Sequence, residues 1–287
     1  MPNTREIKGR IKAVSNIQRI TKTMQMIATS KFARAQVRAT SAKPFTEGVF
    51  ELVQQLASGA DLDHPLISAG AKDAPEVVLV LTSDRGMCGP YNNNALRLAL
   101  GHINETTGEI ETELVGKKGV SFLRFAGKSV TRHHTHFTDN PRREDIDRLA
   151  NEYMDRFMAG EISGVRVVYT RFITAGRQAP EALQLLPLKP PAAEGEETGG
   201  TNAVYEFSPE RDRLLSSLLP AAVRATLNQC FSDAIVSEHV ARMVAMKAAT
   251  DAAGRVGKDL KRTFNRARQA QITTELTEII GGVAALE

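Results

Sequence analysis

"REIKGRIKAVSNIQRITKTMQMIATSKFARAQ", residues 5–36, decides how the rest of the chain is read. It has no proline, a single glycine at position 9, and mostly good helix formers. Ile7, Ile11, Val14, Ile17, Ile20, Met24 and Ile27 recur every three or four positions. That is a narrow seam near the coiled-coil repeat, not the broad stripe of a globular helix. Asn3, with Glu6 three residues on, reads as a capping box. Pro44 is expected to bend this helix without ending it, because 45–57 is helical in pattern again. Residues 1–43 hold ten basic side chains against Glu6 alone, a net +9. With +4 overall, the remainder is net −5, so the N-terminal segment implies a partner with a negative surface. Met24 and Met26 suit a surface that repacks against more than one partner geometry.

The other end of the chain repeats the pattern. No proline follows Pro220, and 221 to about 280 is predicted as one helix of roughly 90 Å at 1.5 Å per residue. Val223, Leu227, Cys230, Ala234, Ser237, Ala241, Val244 and Ala248 alternate four and three apart, a seam of small residues that lets a partner helix approach closely. Two seam-bearing helices at opposite ends of one chain predict an antiparallel two-stranded coiled coil.

Between them the character changes. "EVVLVLTSDRG" (76–86) reads as a buried parallel strand ending in a turn. Helix near 93–105, strand "TELVG", helix "KKGVSFLRFAG", strand-like "KSVTRHHTHF", an acidic helix at 142–160, and strands "GVRVVYTRF" and 181–188 follow. This alternation predicts a Rossmann-like α/β domain with a mainly parallel sheet. The expected fold class is therefore α/β with a long antiparallel coiled coil of the two terminal helices. Its parts are an N-terminal helix at 1–58, the α/β domain at 73–207 and a C-terminal helix at 209–287. Residues 189–203 read as a polar, flexible loop.

Composition removes several functions. Apolar residues at 42% and charged residues at 24% suit a soluble globular chain, and no apolar run approaches a membrane span. Charges from Arg5 onward and the lack of an apolar h-region predict no signal peptide. With no Trp and 5% aromatics there is little to stack nucleobases. Cys88 and Cys230 lie far apart, without zinc or disulfide spacing.

The turn "SDRGMCGPYNNN" (83–94) stands where α/β folds bind phosphate, but Gly86 and Gly89 do not make GxGxxG. "GKS" at 127–129 has Phe122 where a phosphate-binding loop needs glycine. His133, His134 and His136 lack a local carboxylate or thiol, so a solvated strand end is expected rather than a metal site. No catalytic constellation, cofactor motif or metal site is predicted. The alternatives left by the residues are a basic coiled coil that binds nucleic acid and a phosphate-binding α/β enzyme.

Three blocks carry a family resemblance: residues 5–36, "LTSDRGMCGPYNNN", and "SEHVARMVAMKAATDAAG…KDLKRTFNRARQAQITTELTEIIGGVAAL". In order and position they resemble the gamma subunits of F-type ATP synthases of the bacterial type, over nearly the whole chain. The resemblance implies a non-catalytic rotor without bound cofactor. Its coil would stand inside a head of three alpha and three beta subunits, and its α/β domain would meet the epsilon subunit and the membrane-embedded c-ring. It implies beta-subunit contacts at Met24, Arg85, Arg268 and Gln269, and c-ring contacts at Tyr205 and Glu206. Pro90-Tyr91 stands where Gly-Phe is commoner in the family, and Phe32 replaces a usual Met. The chloroplast-type cysteine insertion is missing near 189–203, so the expected setting is the cytoplasmic face of a bacterial membrane.

Overall fold

A computed structural model describes residues 4–57, 64–71, 73–138, 141–188 and 211–284. Asn3, the 189–203 loop, Tyr205 and Glu206 lie outside the described residues. The chain forms two compact units, one of residues 1–30 with 242–287 and one of residues 31–241.

The second unit is built on a five-stranded sheet, ordered β3-β2-β1-β4-β5. The strands are β1 (Glu76–Leu81), β2 (Ile110–Val115), β3 (Arg132–His134), β4 (Gly164–Thr174) and β5 (Arg177–Leu186). The first four run parallel and β5 returns antiparallel to β4. β1 is central and, after Glu76, buried on both faces, which is why 77–81 is an unbroken apolar run. Val78, Val80, Leu114 and Val168 pack under α2 (Tyr91–Glu105) and α3 (Lys117–Phe125). Val77, Leu79, Leu81, Val165 and Val167 pack under α4 (Arg143–Met158) and the first part of α5 (Arg211–Ala284). The α/β domain with long helices at both chain ends is thus present as the patterns predicted.

Several boundaries differ, each for a physical reason. The last strand is 177–186 rather than 181–188, and it includes Pro180 opposite Thr170. An edge strand tolerates the missing amide hydrogen because half of its backbone groups face away from the ladder. The stretch 128–137 supplies only the three-residue β3. Helix α5 starts at Arg211, not after Pro220. A mid-helix proline costs about 3 kcal/mol, but Leu219, Ala222 and Val223 on either side are fully buried in the sheet core, and their burial offsets it. Helix α1 (Thr4–Ala57) likewise continues through Pro44.

The seams also need correction. In α1 the seam holds as far as Val14, and then Ile17, Ile20 and Ile27 are all more than half exposed. Three successive steps of three residues drift around a helix by about 60° each, because 3.6 residues make a turn. The buried line instead continues through Thr21, Ala28, Ala35 and Ala39. In α5 the predicted Val244 and Ala248 face outward, and Val240, Met246 and Ala253 take their place. Within the first unit the helices run antiparallel: Thr4 Oγ1 donates to Gln271, Gln18 faces Gly254, Val14 faces Gly257, and the hydroxyls of Thr21 and Thr250 bond at 2.8 Å. In the second unit Ala35 and Ala39 meet Val236, with the Phe32 ring tilted 58° against Phe172 at a centroid distance of 6.2 Å. Phe32 thus uses its larger ring to tie α1 to β4.

Candidate functional site

The sequence placed phosphate chemistry, if any, at the turn 83–94, which follows the carboxyl end of β1 and lies beside that of β2. There Thr82 Oγ1 donates to the Val115 carbonyl at 2.7 Å, and Gly116 has φ +90°. Phe137, Phe231, Ala234 and Ile235 close the crevice, leaving about 40 Å³. A ligand site of this kind needs roughly 300 Å³ or more. Helix α5 therefore occupies the place where an open α/β sheet would take a nucleotide.

The histidine cluster is also not what the local sequence predicts. His134 is buried rather than solvated, because Glu113 of β2 supplies the missing carboxylate from 21 residues away. Glu113 Oε2 lies 2.6 Å from His134 Nε2 and accepts the Tyr153 hydroxyl at 2.7 Å. Burial alone would raise the Glu113 carboxyl, but the His134 and Tyr153 hydrogen bonds outweigh it and hold it below the ordinary range. Burial, then the Glu113 charge, pushes Tyr153 well up. The trio ties β2, β3 and α4 together, and nothing in it reaches solvent. Among the described residues no group of three or more His, Cys, Asp or Glu side chains could hold a metal ion.

A second buried acid makes a signed prediction. Asp233 of α5 is 8% exposed, and burial raises its carboxyl to about 6, opposed by the hydrogen bond from Gln229 at 2.9 Å. A folded pKa above the unfolded one means that the contribution of Asp233 is most favourable below about pH 4 and is lost as pH rises through 6. Asp233→Asn should therefore raise stability at pH 8 by on the order of 2–3 kcal/mol and by much less at pH 4. Urea midpoints of parent and variant at the two pH values check this. A gap that does not change with pH would contradict it.

The turn after β1 is rigidly built. Ser83 N donates to Asn92 Oδ1 at 2.9 Å, Asn92 Nδ2 donates to Ser83 Oγ at 2.8 Å, and Ser83 Oγ donates to the Arg85 carbonyl at 2.7 Å. Asp84 Oδ1 accepts the Lys117 amide at 3.1 Å, satisfying the N-terminus of α3 whose cap residue, Gly116, has no side chain. Met87 takes φ +62°, an uncommon conformation for a residue other than glycine. Arg85 thus stands on a fixed turn. The Asp84 bond spans 33 residues, beyond any local pattern. Pro90 precedes α2, and Tyr91 opens that helix as a core residue.

Met24, Arg268 and Gln269 belong to the first unit and Arg85 to the second. Within the first unit Met24 is half-buried near the Thr21–Thr250 level, whereas Arg268 and Gln269 are exposed near the Thr4–Gln271 level. Seventeen residues of α1 separate these levels, about 26 Å at 1.5 Å per residue. The residues therefore form two stations along the coil, not one site. From Ile272 to Val283 every residue of α5 is exposed, including Leu276, Ile279 and Ile280. This bare apolar face was not singled out from the sequence, although its three-and-four spacing was there to be read.

The chain's relatives agree with one another. A family model described as ATP synthase matches residues 3–286. An ATP synthase gamma chain of Rhodopirellula baltica is 42% identical over 295 residues, covering all of both chains. One of Leptospira biflexa is 37% identical over 290 residues, again covering both completely. Among solved structures, a chain of the Euglena gracilis mitochondrial ATP synthase rotor shares the fold with a TM-score of 0.65 at 17% identity, covering 94% of this chain and 98% of that one. A chain from the central stalk and c-ring structure of the Tetrahymena thermophila enzyme gives 0.56 at 18% identity, covering 80% and 99%. The chain belongs to the gamma-subunit family of the F-type ATP synthases, a non-catalytic component of that complex.

Proposed function

We propose that this chain is the rotor that couples ion flow through a c-ring to conformational cycling of catalytic beta subunits. The observation that carries this reading is α5, 74 residues without interruption. One end of that helix is locked into the sheet core through Leu219, Val223 and Leu227, and the other runs through the basic coil to a bare apolar end. Helix α5 contributes residues to both compact units, and in this proposal it carries torque without doing chemistry. The filled crevice at the strand ends supports the same reading.

The negative surface implied by the basic N-terminal segment is, in this proposal, supplied by acidic loops of beta. Met24 serves one station along the coil, and Arg268 with Gln269 the other. Arg85, on its rigid turn, is a further beta contact. Three alpha and three beta subunits surround the coil, epsilon packs on the α/β domain, and Tyr205 and Glu206 approach the c-ring. No helix among the described residues is long and apolar enough to cross a membrane. In this proposal attachment is through the complex, on the cytoplasmic side of the bacterial plasma membrane.

The rival reading of the basic helix as a nucleic-acid binder draws no support from the relatives, which are ATP synthase gamma chains. Affinity purification of the tagged chain from solubilised membranes separates the two. The rotor reading expects alpha, beta and epsilon in fixed ratio with ATPase activity. Salt-sensitive retention on DNA, with no ATPase in the eluate, would overturn it.

A further inference from the structure

We propose that a cleft between α1, α4 and α5 in the 31–241 unit binds a small aromatic anion. The cleft measures about 450 Å³, within the range of small-molecule sites of roughly 300–1,000 Å³. Its apolar lining includes Ile146 of α4 and Phe231 of α5. Two guanidinium-bearing residues line it from different helices, Arg38 of α1 and Arg143 of α4, and no acidic residue lines it among the described ones.

Neither cation is strongly neutralised. Arg38 has no acid within ion-pair distance among the described residues. Arg143 reaches Asp147 only at 3.7 Å, and its guanidinium lies 5.7 Å over the exposed ring of Phe45, another lining residue. An arginine plane and a phenyl ring at one cleft favour a flat aromatic body, and two guanidinium groups favour a carboxylate, sulfonate or phosphate on it. Gln229 supplies a further polar feature. Its Nε2 donates to Asp233, and its Oε1 is buried without a partner.

This site lies outside the beta-contact residues, and it does not depend on the rotor reading. A ligand there would bridge the two terminal helices and α4 within one compact unit, so binding would raise that unit's stability by mass action. The probe for the test is 6-hydroxy-2-naphthoate, titrated calorimetrically into the full-length chain. Saturable one-to-one binding below the millimolar range is expected, with a raised melting temperature. Arg38→Gln and Arg143→Gln should each weaken it about tenfold, as should replacing the probe by its neutral carboxamide. Both arginines are exposed, so both variants should melt like the parent. If a variant melts early, the carboxamide titration on the parent chain decides. Absence of saturation through the millimolar range, or equal affinity for carboxylate and carboxamide, would overturn the proposal.

Discussion

With Arg268 and Gln269 both replaced by alanine, ATP-driven proton pumping in membrane vesicles is expected to fall about tenfold. The two side chains are exposed neighbours on α5, and no ion pair holds Arg268 among the described residues. Their removal should cost the isolated chain no more than about 0.5 kcal/mol, as at other surface positions. Facing a carboxylate of beta, an arginine forms a bidentate, charge-assisted contact worth roughly 1.5–3 kcal/mol. Loss of about 1.4 kcal/mol from the rate-limiting step is a factor of ten. Arg268→Lys should recover only part, since lysine keeps the charge but not the planar fork. Nucleotide affinity of isolated beta should not change. Normal assembly and parental pumping by the double variant would remove these residues from the mechanism.

Replacing Gly116 by alanine is expected to destabilise the sheet-bearing unit by about 4 kcal/mol. A Cβ at this position would lie 2.2 Å from the Thr82 carbonyl oxygen and 2.8 Å from its hydroxyl, and the φ of +90° is one that side chains avoid. Backbone oxygen cannot yield as a flexible side chain can, so the ends of β1 and β2 must separate. The Thr82–Val115 bond and the Asp84 cap on α3 would go with them. Gly101 is the control. It lies inside α2 with nothing within 4 Å of an added Cβ, so Gly101→Ala should stabilise by up to about 1 kcal/mol. Urea unfolding of the two variants gives opposite signs in this account. A small loss at Gly116 would mean that the strand ends are more compliant than the structure describes.

Part of this fold is legible in the sequence and part is not. β1 was legible because a strand buried on both faces must be apolar throughout, and its flanking turn and helix follow from the same pattern. Helix α1 was legible as a helix, but its buried line was not. Apolar Ile17, Ile20 and Ile27 drew the seam aside, while the true line runs through Thr21 and Ala28, whose polarity and small size hide them. In a coil whose partner helices approach through Gly254 and Gly257, small residues mark the seam better than large ones. The exposed isoleucines are available for surfaces outside the chain. His134 was misplaced because its partner Glu113 is distant in sequence, and Asp84 was not recognised as a cap for the same reason. Pro220 misled because a local rule about helix interiors yields to the burial of Leu219 and Val223.

Rotation is the central claim, and it can be observed directly. Cys88 and Cys230 are both buried, so a cysteine introduced at exposed Thr107 gives a selective attachment point on the α/β domain. With the head of alpha and beta subunits fixed to a surface and a bead on Thr107→Cys, ATP should turn the bead in one direction. It should pause at three positions per turn, one for each beta subunit. ATP hydrolysis at full rate under a bead that never turns would contradict the account.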